Sequence, residues 1–178
     1  KLTPRALSRD QTPYRRDERE RCKQAGARVL TWDMLDGVVE QHDNWDDMDL
    51  TPNLLRGVFA LGFEKPSPIQ SRAIRPVVQG RDVIGQAQSG TGKTGCFTIA
   101  ALQRVDTRLR GTQVLILSPT RELSQQTKTV VDRLAGKMEG LRSQLLVGGT
   151  STDADASALM CPPPHVVVGC PGRVHDML

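Results

Sequence analysis

Ten residues near the middle of the chain carry its clearest chemistry: GQAQSGTGKT, from Gly85 to Thr94. The run has the character of G-x-x-x-x-G-K-[ST], read here from Gly85 through Gly92, Lys93 and Thr94. Ser89, Gly90, Thr91 and Gly92 are small enough for backbone N–H groups to converge on phosphate oxygens without Cβ clashes. Lys93 supplies a mobile cation for the outer phosphates, and the Thr94 hydroxyl a ligand for Mg2+. A short apolar run, DVIG, precedes the segment, and a helix-like run, GCFTIAALQRV, follows it. A helix that starts at an anion turns its dipole toward the charge. In that setting the segment reads as a nucleoside triphosphate site. The plainer alternative is a Gly-rich turn between a strand and a helix.

The surrounding elements must hold that loop. TPNLLRGVFALGF predicts a helix, with Thr51 as cap, Pro52 at its first position and Gly62 as the left-handed stop. SPIQSRAIRPVVQG predicts another, with Ser67 as cap, Pro68 opening, Gly80 closing, and Pro76 kinking or splitting it. An alternation then begins. DVIGQA reads as a strand, KTGCFTIAALQRVDTRL as a helix, QVLILSP as a buried strand and TRELSQQTKTVVDRLAGKM as a long helix. SQLLVGG reads as a strand, STDADASALM as a short helix, HVVVGC as a strand and PGRVHDML as the start of a helix. Continuous Val/Leu/Ile runs alternating with helices predict an α/β fold, a parallel sheet with helices on both faces.

The 178 residues suit one domain, with 38% hydrophobic and 25% charged residues. No apolar run reaches the roughly 18 residues of a membrane-spanning helix. The net charge of +4 is uneven: residues 1–28 hold nine Lys/Arg against four Asp/Glu, and the remainder fifteen against sixteen. Residues 1–44 therefore read as a basic, flexible extension, and the folded part as 45–178. VLTWDMLDGVVEQH is a candidate short element inside the extension. The basic segment could neutralise nucleic-acid phosphates, or be a solvated tail. Cys22, Cys96, Cys161 and Cys170 form no CxxC pair, and no signal peptide is visible. They read as reduced thiols of an intracellular protein, nuclear or cytoplasmic. The chain starts at Lys1 rather than Met, as a processed or excerpted chain would.

Five short segments, in order, carry a resemblance. GFEKPSPIQ (62–70) resembles the Q motif of DEAD-box RNA helicases, and Trp45 stands where that family has an isolated aromatic, seventeen residues earlier. AQSGTGKT (87–94) resembles motif I, PTRELS (119–124) motif Ia, GG (148–149) the double-glycine motif and CPGR (170–173) motif Ib. The likeness covers residues 45–178 and is strongest to the initiation-factor-4A-like branch. It implies a RecA-like P-loop domain that uses ATP and Mg2+. Gln70 would read the adenine edge through both ends of its amide. Phe63 would pack on the base, with Lys65 near it, and Ser89 to Gly95 would hold the phosphates. Pro119, Thr120, Arg121, Gly149, Gly172 and Arg173 would line an RNA-backbone groove, indifferent to base sequence. Aromatic residues make up only 3% of the chain, which argues against a base-stacking platform.

Three positions depart from the family pattern: Gly95 and Ser124 stand where it commonly has Ala, and Cys170 where it has Thr. A thiol donates more weakly than a hydroxyl. The sequence ends at VHDML, before a strand that would carry Asp-Glu-Ala-Asp, and neither Asp176 nor Asp46, Asp47 and Asp49 is a good substitute. The expectation is part of the first RecA-like domain of an RNA helicase, with protein partners unspecified, that alone hydrolyses ATP negligibly and exposes apolar sheet faces. The alternatives are a non-catalytic module binding nucleotide, RNA or a partner, and some other P-loop NTPase.

Overall fold

Proline after a small polar residue opens the helices that start at Pro52 and Pro68, where the missing proline N–H costs no hydrogen bond. The computed structural model describes residues 20, 21, 24, 28–30 and 42–178. Helix α1 (Pro52–Ala60) follows Thr51, and α2 (Pro68–Val78) follows Ser67. Gly62 and Gly80 take φ of +81° and +83°, the left-handed conformation that ends each segment. A 3-10 turn over Trp45–Met48 precedes α1. Strand β2 (Val83–Gly85) leads through the phosphate loop into α3 (Lys93–Gln103). Then come β3 (Val114–Leu117), α4 (Arg121–Ala135), β4 (Ser143–Leu146), α5 (Thr152–Met160), β5 (Val166–Gly169) and α6 (Pro171–Asp176). Thr120 and Ser151 cap α4 and α5 by accepting the N–H of Leu123 and Ala154.

All strand pairs are parallel. β5 lies between β3 and β4, with Val166 opposite both Val114 and Ser143. β2 pairs with β1 (Arg28–Leu30), Val83 opposite Arg28. The described strands therefore form two sheets, of two and three strands, rather than one continuous sheet. The N-terminal extension thus contributes a strand beside the phosphate loop's own. Most of VLTWDMLDGVVEQH, and most of residues 1–28, lie outside the described residues.

The period of two along β5 divides the core. Val166 and Val168 enter the main cluster with Trp45, Leu54, Val58, Ile74, Ile99, Leu102 and Leu134. Val167 faces a smaller cluster with Leu146 and Val174. Helices therefore cover both faces at β4 and β5. At β3 they do not. Val114 and Ile116 pack on the main core, but Leu115 and Leu117 are 51% and 52% exposed. The expectation of a buried strand here is corrected: among the described residues, no helix covers the face of β3 that carries Leu115 and Leu117.

Two helix expectations also change. α2 runs unbroken through Pro76. The proline lies in the last turn and is buried, so core packing offsets the one donor it removes. α3 stops at Gln103, short of Leu109. The Asp106 carboxylate turns the chain there by accepting the Arg108 backbone N–H at 3.0 Å. α1 and α4 approach closely at Gly57, where an added Cβ would lie 2.0 Å from the Leu134 carbonyl oxygen.

Candidate functional site

The strict spacing of the phosphate-loop pattern puts Ala87, not Gly85, at its first position. Gly85 instead closes β2. Gly90 and Gly92 take φ of +80° and +90°, a conformation that L side chains rarely adopt. Nothing lies within 4 Å of a Cβ built on Gly90, so the loop is open there. Ser89 and Gly90 are exposed, while Thr91, Gly92, Lys93 and Thr94 are half-buried. The Thr91 hydroxyl donates to the Gln88 carbonyl at 2.8 Å. Lys93 Nζ donates to the carbonyls of Ala87 and Gln88, closing the loop on its own cation. These residues fit the phosphate tail of a nucleotide, with Lys93 the group that must turn toward it. Among the described residues no three His, Cys, Asp or Glu side chains gather as a metal cage. A divalent cation would be held by Thr94 and the phosphates themselves, as Mg2+ commonly is.

Gln70 sits behind the loop and is 3% exposed. Its Oε1 accepts the Ser67 N–H at 2.8 Å, and its Nε2 donates to the Gly92 carbonyl at 3.1 Å. One amide therefore joins the start of α2 to the start of α3. Oε1 keeps a second lone pair and Nε2 a second hydrogen, enough for a base edge. Phe63 lies beside it, against the first turn of α3: a Cβ on Gly95 would meet Gln70 Nε2 at 2.8 Å and Phe63 Cε2 at 3.1 Å. Trp45, 1% exposed, supports Phe63 from the core side. Their rings stack with centroids 6.3 Å apart, and Trp45 Nε1 donates to the Phe63 carbonyl at 2.9 Å. Lys65 is exposed. Behind α3, burial pushes the Cys96 thiol up to about 12. An apolar cavity of about 400 Å³, lined by Ile69, Val77, Val83 and Phe97 among others, runs up to Lys93 and Thr94.

The second group of residues lies where β3, β4 and β5 end. Each strand is followed by a loop and a helix start, so backbone N–H groups collect at that edge. Pro119, Thr120 and Arg121 open α4, Gly149 precedes α5 and Gly172 lies in α6; all five are exposed. An added Cβ on Gly149, at φ +88°, would lie 2.9 Å from Arg121 Nη1, so these two loops touch. Ser124 Oγ and Cys170 Sγ, at two positions that depart from the family pattern, are 3.5 Å apart. Arg173 differs from the other five: its side chain is 8% exposed and faces Asp155, which is 7% exposed. Residue patterns did not point to Asp155 or Thr150, because neither has a fixed sequence relation to Arg173.

A nucleotide loop after a parallel strand, latched to a second motif, with a row of helix starts at the strand ends of the three-stranded parallel sheet, defines a P-loop α/β domain. The description of the DEAD/DEAH box helicase family matches residues 67–178, and the chain belongs to that family. The ATP-dependent RNA helicase eIF4A of Aspergillus niger is 53% identical over 139 residues, 78% of this chain and 34% of the relative. Eukaryotic initiation factor 4A of Drosophila melanogaster is 54% identical over 150 residues, covering 80% and 36%. Among solved structures, a DEAD box protein from Methanococcus jannaschii has a TM-score of 0.71 at 31% identity, over 77% of this chain and 37% of that one. S. cerevisiae Dbp5 bound to RNA and ADP BeF3 has a TM-score of 0.67 at 37% identity, over 76% and 34%. The fold is that of a RecA-like helicase domain, in part. The chain spans about a third of the length of the curated relatives it matches. No helix among the described residues is long and apolar enough to cross a membrane.

Proposed function

We propose that this chain is the nucleotide-binding first RecA-like domain of an ATP-dependent RNA helicase, residues 45–178 forming the domain and 1–44 an extension. ATP binds with its phosphates along Ser89–Gly95, Mg2+ on Thr94, and its base beside Phe63, Lys65 and Gln70. RNA lies with its backbone along Pro119, Thr120, Arg121, Gly149 and Gly172, and Arg173 supports that edge. The observation that carries the reading is the Gln70 amide, which bonds to Ser67 and Gly92 at once. A side chain there can report an adenine to the loop that holds the phosphates.

The nucleotide site then works in three parts. Lys93 leaves the Ala87 and Gln88 carbonyls for the outer phosphates, exchanging neutral acceptors for an anion. The backbone N–H groups of Ser89–Gly92 and the start of α3 stabilise the remaining charge. Bound Mg2+ would neutralise charge on the phosphates, with the Thr94 hydroxyl as its protein ligand. In the whole protein, ATP turnover drives local separation of RNA strands. This chain alone turns ATP over negligibly, because the acid that positions an attacking water must come from elsewhere.

Calorimetric titration of ATP and GTP in the presence of Mg2+ tests the adenine site. Preference for ATP that disappears in Gln70→Ala supports it. Equal affinity for the two nucleotides would leave only a general phosphate loop. An RNA-stimulated ATPase rate well above background from this chain alone would refute the expectation of negligible turnover.

A further inference from the structure

Three polar residues meet behind the exposed Gly149. Thr150 Oγ1 lies 2.8 Å from Asp155 Oδ2 and 2.9 Å from the Val147 carbonyl. The Thr150 carbonyl accepts from Arg173 Nη2 at 2.8 Å. Arg173 Nη1 lies 3.6 Å from Asp155 Oδ2, and has no hydrogen-bond partner of its own. Thr150 is therefore held at its hydroxyl by α5 and at its backbone by α6. The guanidinium that does this is almost wholly inside the protein. Its charge is matched by a carboxylate that is itself buried, so it has little surface and little unbalanced charge to offer a phosphate.

We propose that Arg173 and Asp155 are positioning residues: an inward-facing buried pair that sets the Gly149–Thr150 loop against the RNA backbone, with Arg173 making no phosphate contact. The proposal rests on the RNA-backbone reading above, and it reassigns one residue of that groove and adds another. The pair links the end of β4, the first turn of α5 and the start of α6. It thereby fixes two neighbouring loops relative to each other. A buried pair of this kind contributes more to geometry than to net stability, and removing either partner strands the other's charge.

The two roles for Arg173 give different salt slopes in one experiment. The intact protein is titrated with uridine homopolymer RNA over a series of KCl concentrations, with ATP and Mg2+ present. An arginine that neutralises a phosphate releases a counterion, so its loss lowers the salt slope by about 0.7 for a single strand. A positioning arginine leaves the slope unchanged while affinity falls. Asp155→Asn is sharper still. Deleting an acid near RNA should tighten binding by charge alone, whereas the proposal requires weaker binding, roughly tenfold. Arg173→Lys should fail to rescue, because one ammonium cannot serve both the Thr150 carbonyl and Asp155 in the planar geometry. Thr150→Val leaves the buried charges matched and keeps the question readable if the charge variants do not fold. It should weaken RNA binding in the same direction.

Weaker binding at unchanged slope in Arg173→Gln, together with weaker binding in Asp155→Asn, supports the proposal. Tighter or unchanged binding in Asp155→Asn, unchanged binding in Thr150→Val, or a slope lowered by about 0.7 in Arg173→Gln overturns it. If the unmodified protein does not bind the homopolymer, the RNA-backbone reading falls and this inference with it. That outcome is read before any variant is compared.

Discussion

Gln70 Nε2 donates at 3.1 Å to the carbonyl of Gly92, 22 positions further along the chain, while its Oε1 holds the Ser67 N–H. The same amide thus belongs to the base side of the nucleotide site and to its phosphate side. Gln70→Glu keeps the shape but replaces the donor with an acceptor facing a carbonyl. Leaving a buried polar group unsatisfied costs about 1–3 kcal/mol. Chemical denaturation of Gln70→Glu should show a loss of that order, and calorimetry a fall in ATP affinity. Unchanged affinity would mean that the base side and the phosphate side are not linked through this residue.

Three glycines should respond differently to alanine, because what surrounds each is different. At Gly57 the new Cβ would meet the Leu134 carbonyl at 2.0 Å, a backbone atom that cannot move aside. Gly57→Ala should therefore destabilise the protein by more than the roughly 1 kcal/mol of helix propensity that it gains. At Gly95 the neighbours are the ends of two side chains, Gln70 and Phe63. Gly95→Ala should leave stability within about 1 kcal/mol of the parent while altering ATP affinity, since those side chains are the ones displaced. Gly92 combines φ +90° with a contact at 2.8 Å, so Gly92→Ala should abolish nucleotide binding. Thermal unfolding and ATP titration of the three variants separate these outcomes. Equal effects at Gly57 and Gly95 would contradict the argument.

The three described cysteines should label in order of burial. Cys161 is exposed and Cys170 half-buried. Cys96 is buried, and its thiol is pushed up to about 12. The thiolate is the reactive form. Of these three described cysteines, a maleimide at neutral pH should modify Cys161 first, Cys170 more slowly and Cys96 only after unfolding. Peptide mass mapping over time reads this directly. Modification of native Cys96 at the rate of Cys161 would mean that α3 opens far more often than its packing allows.

Asp106 is paired with Arg108 at the turn that ends α3, Nε to Oδ1 at 2.9 Å and Nη2 to Oδ2 at 2.7 Å. The Arg108 hydrogen bonds lower its carboxyl from 3.8 to about 2. A folded-state value below the unfolded one stabilises the protein above the unfolded value, and that contribution is lost as pH falls from 3.8 toward 2. Asp106→Asn should flatten the acid limb of the stability curve in that window and leave nucleotide affinity at neutral pH unchanged. An acid limb of unaltered shape would show that the pair does not persist in solution.

Local chemistry made much of this fold readable in the chain. Pro52 and Pro68 after Thr51 and Ser67, and the glycines at 62 and 80, mark helix ends through forces that act within a few residues. The alternation of apolar runs with helices pointed to the parallel strands, and the loop from Ser89 to Thr94 was legible because phosphate binding demands small residues at fixed spacing. Gly85 shows the limit of that reading: its type suited the pattern, but its place is the end of β2.

Tertiary structure decided what those residues touch. Whether Leu115 and Leu117 are covered depends on a helix lying against β3, which their own pattern cannot reveal. Pro76 stays inside a helix because the core buries it. Lys93 turns onto Ala87 and Gln88 because those carbonyls lie within reach of its ammonium. Gln70 finds Gly92, and Ser124 meets Cys170, only after the helices have packed. Arg173 is the plainest case. By type and motif it belongs with the residues that meet an RNA phosphate, yet its Nη2 donates to the Thr150 carbonyl and its Nη1 lies 3.6 Å from the Asp155 carboxylate. Spacing along a chain records which groups are present; hydrogen bonds and ion pairs between distant segments depend on the directions in which folding brings those groups together.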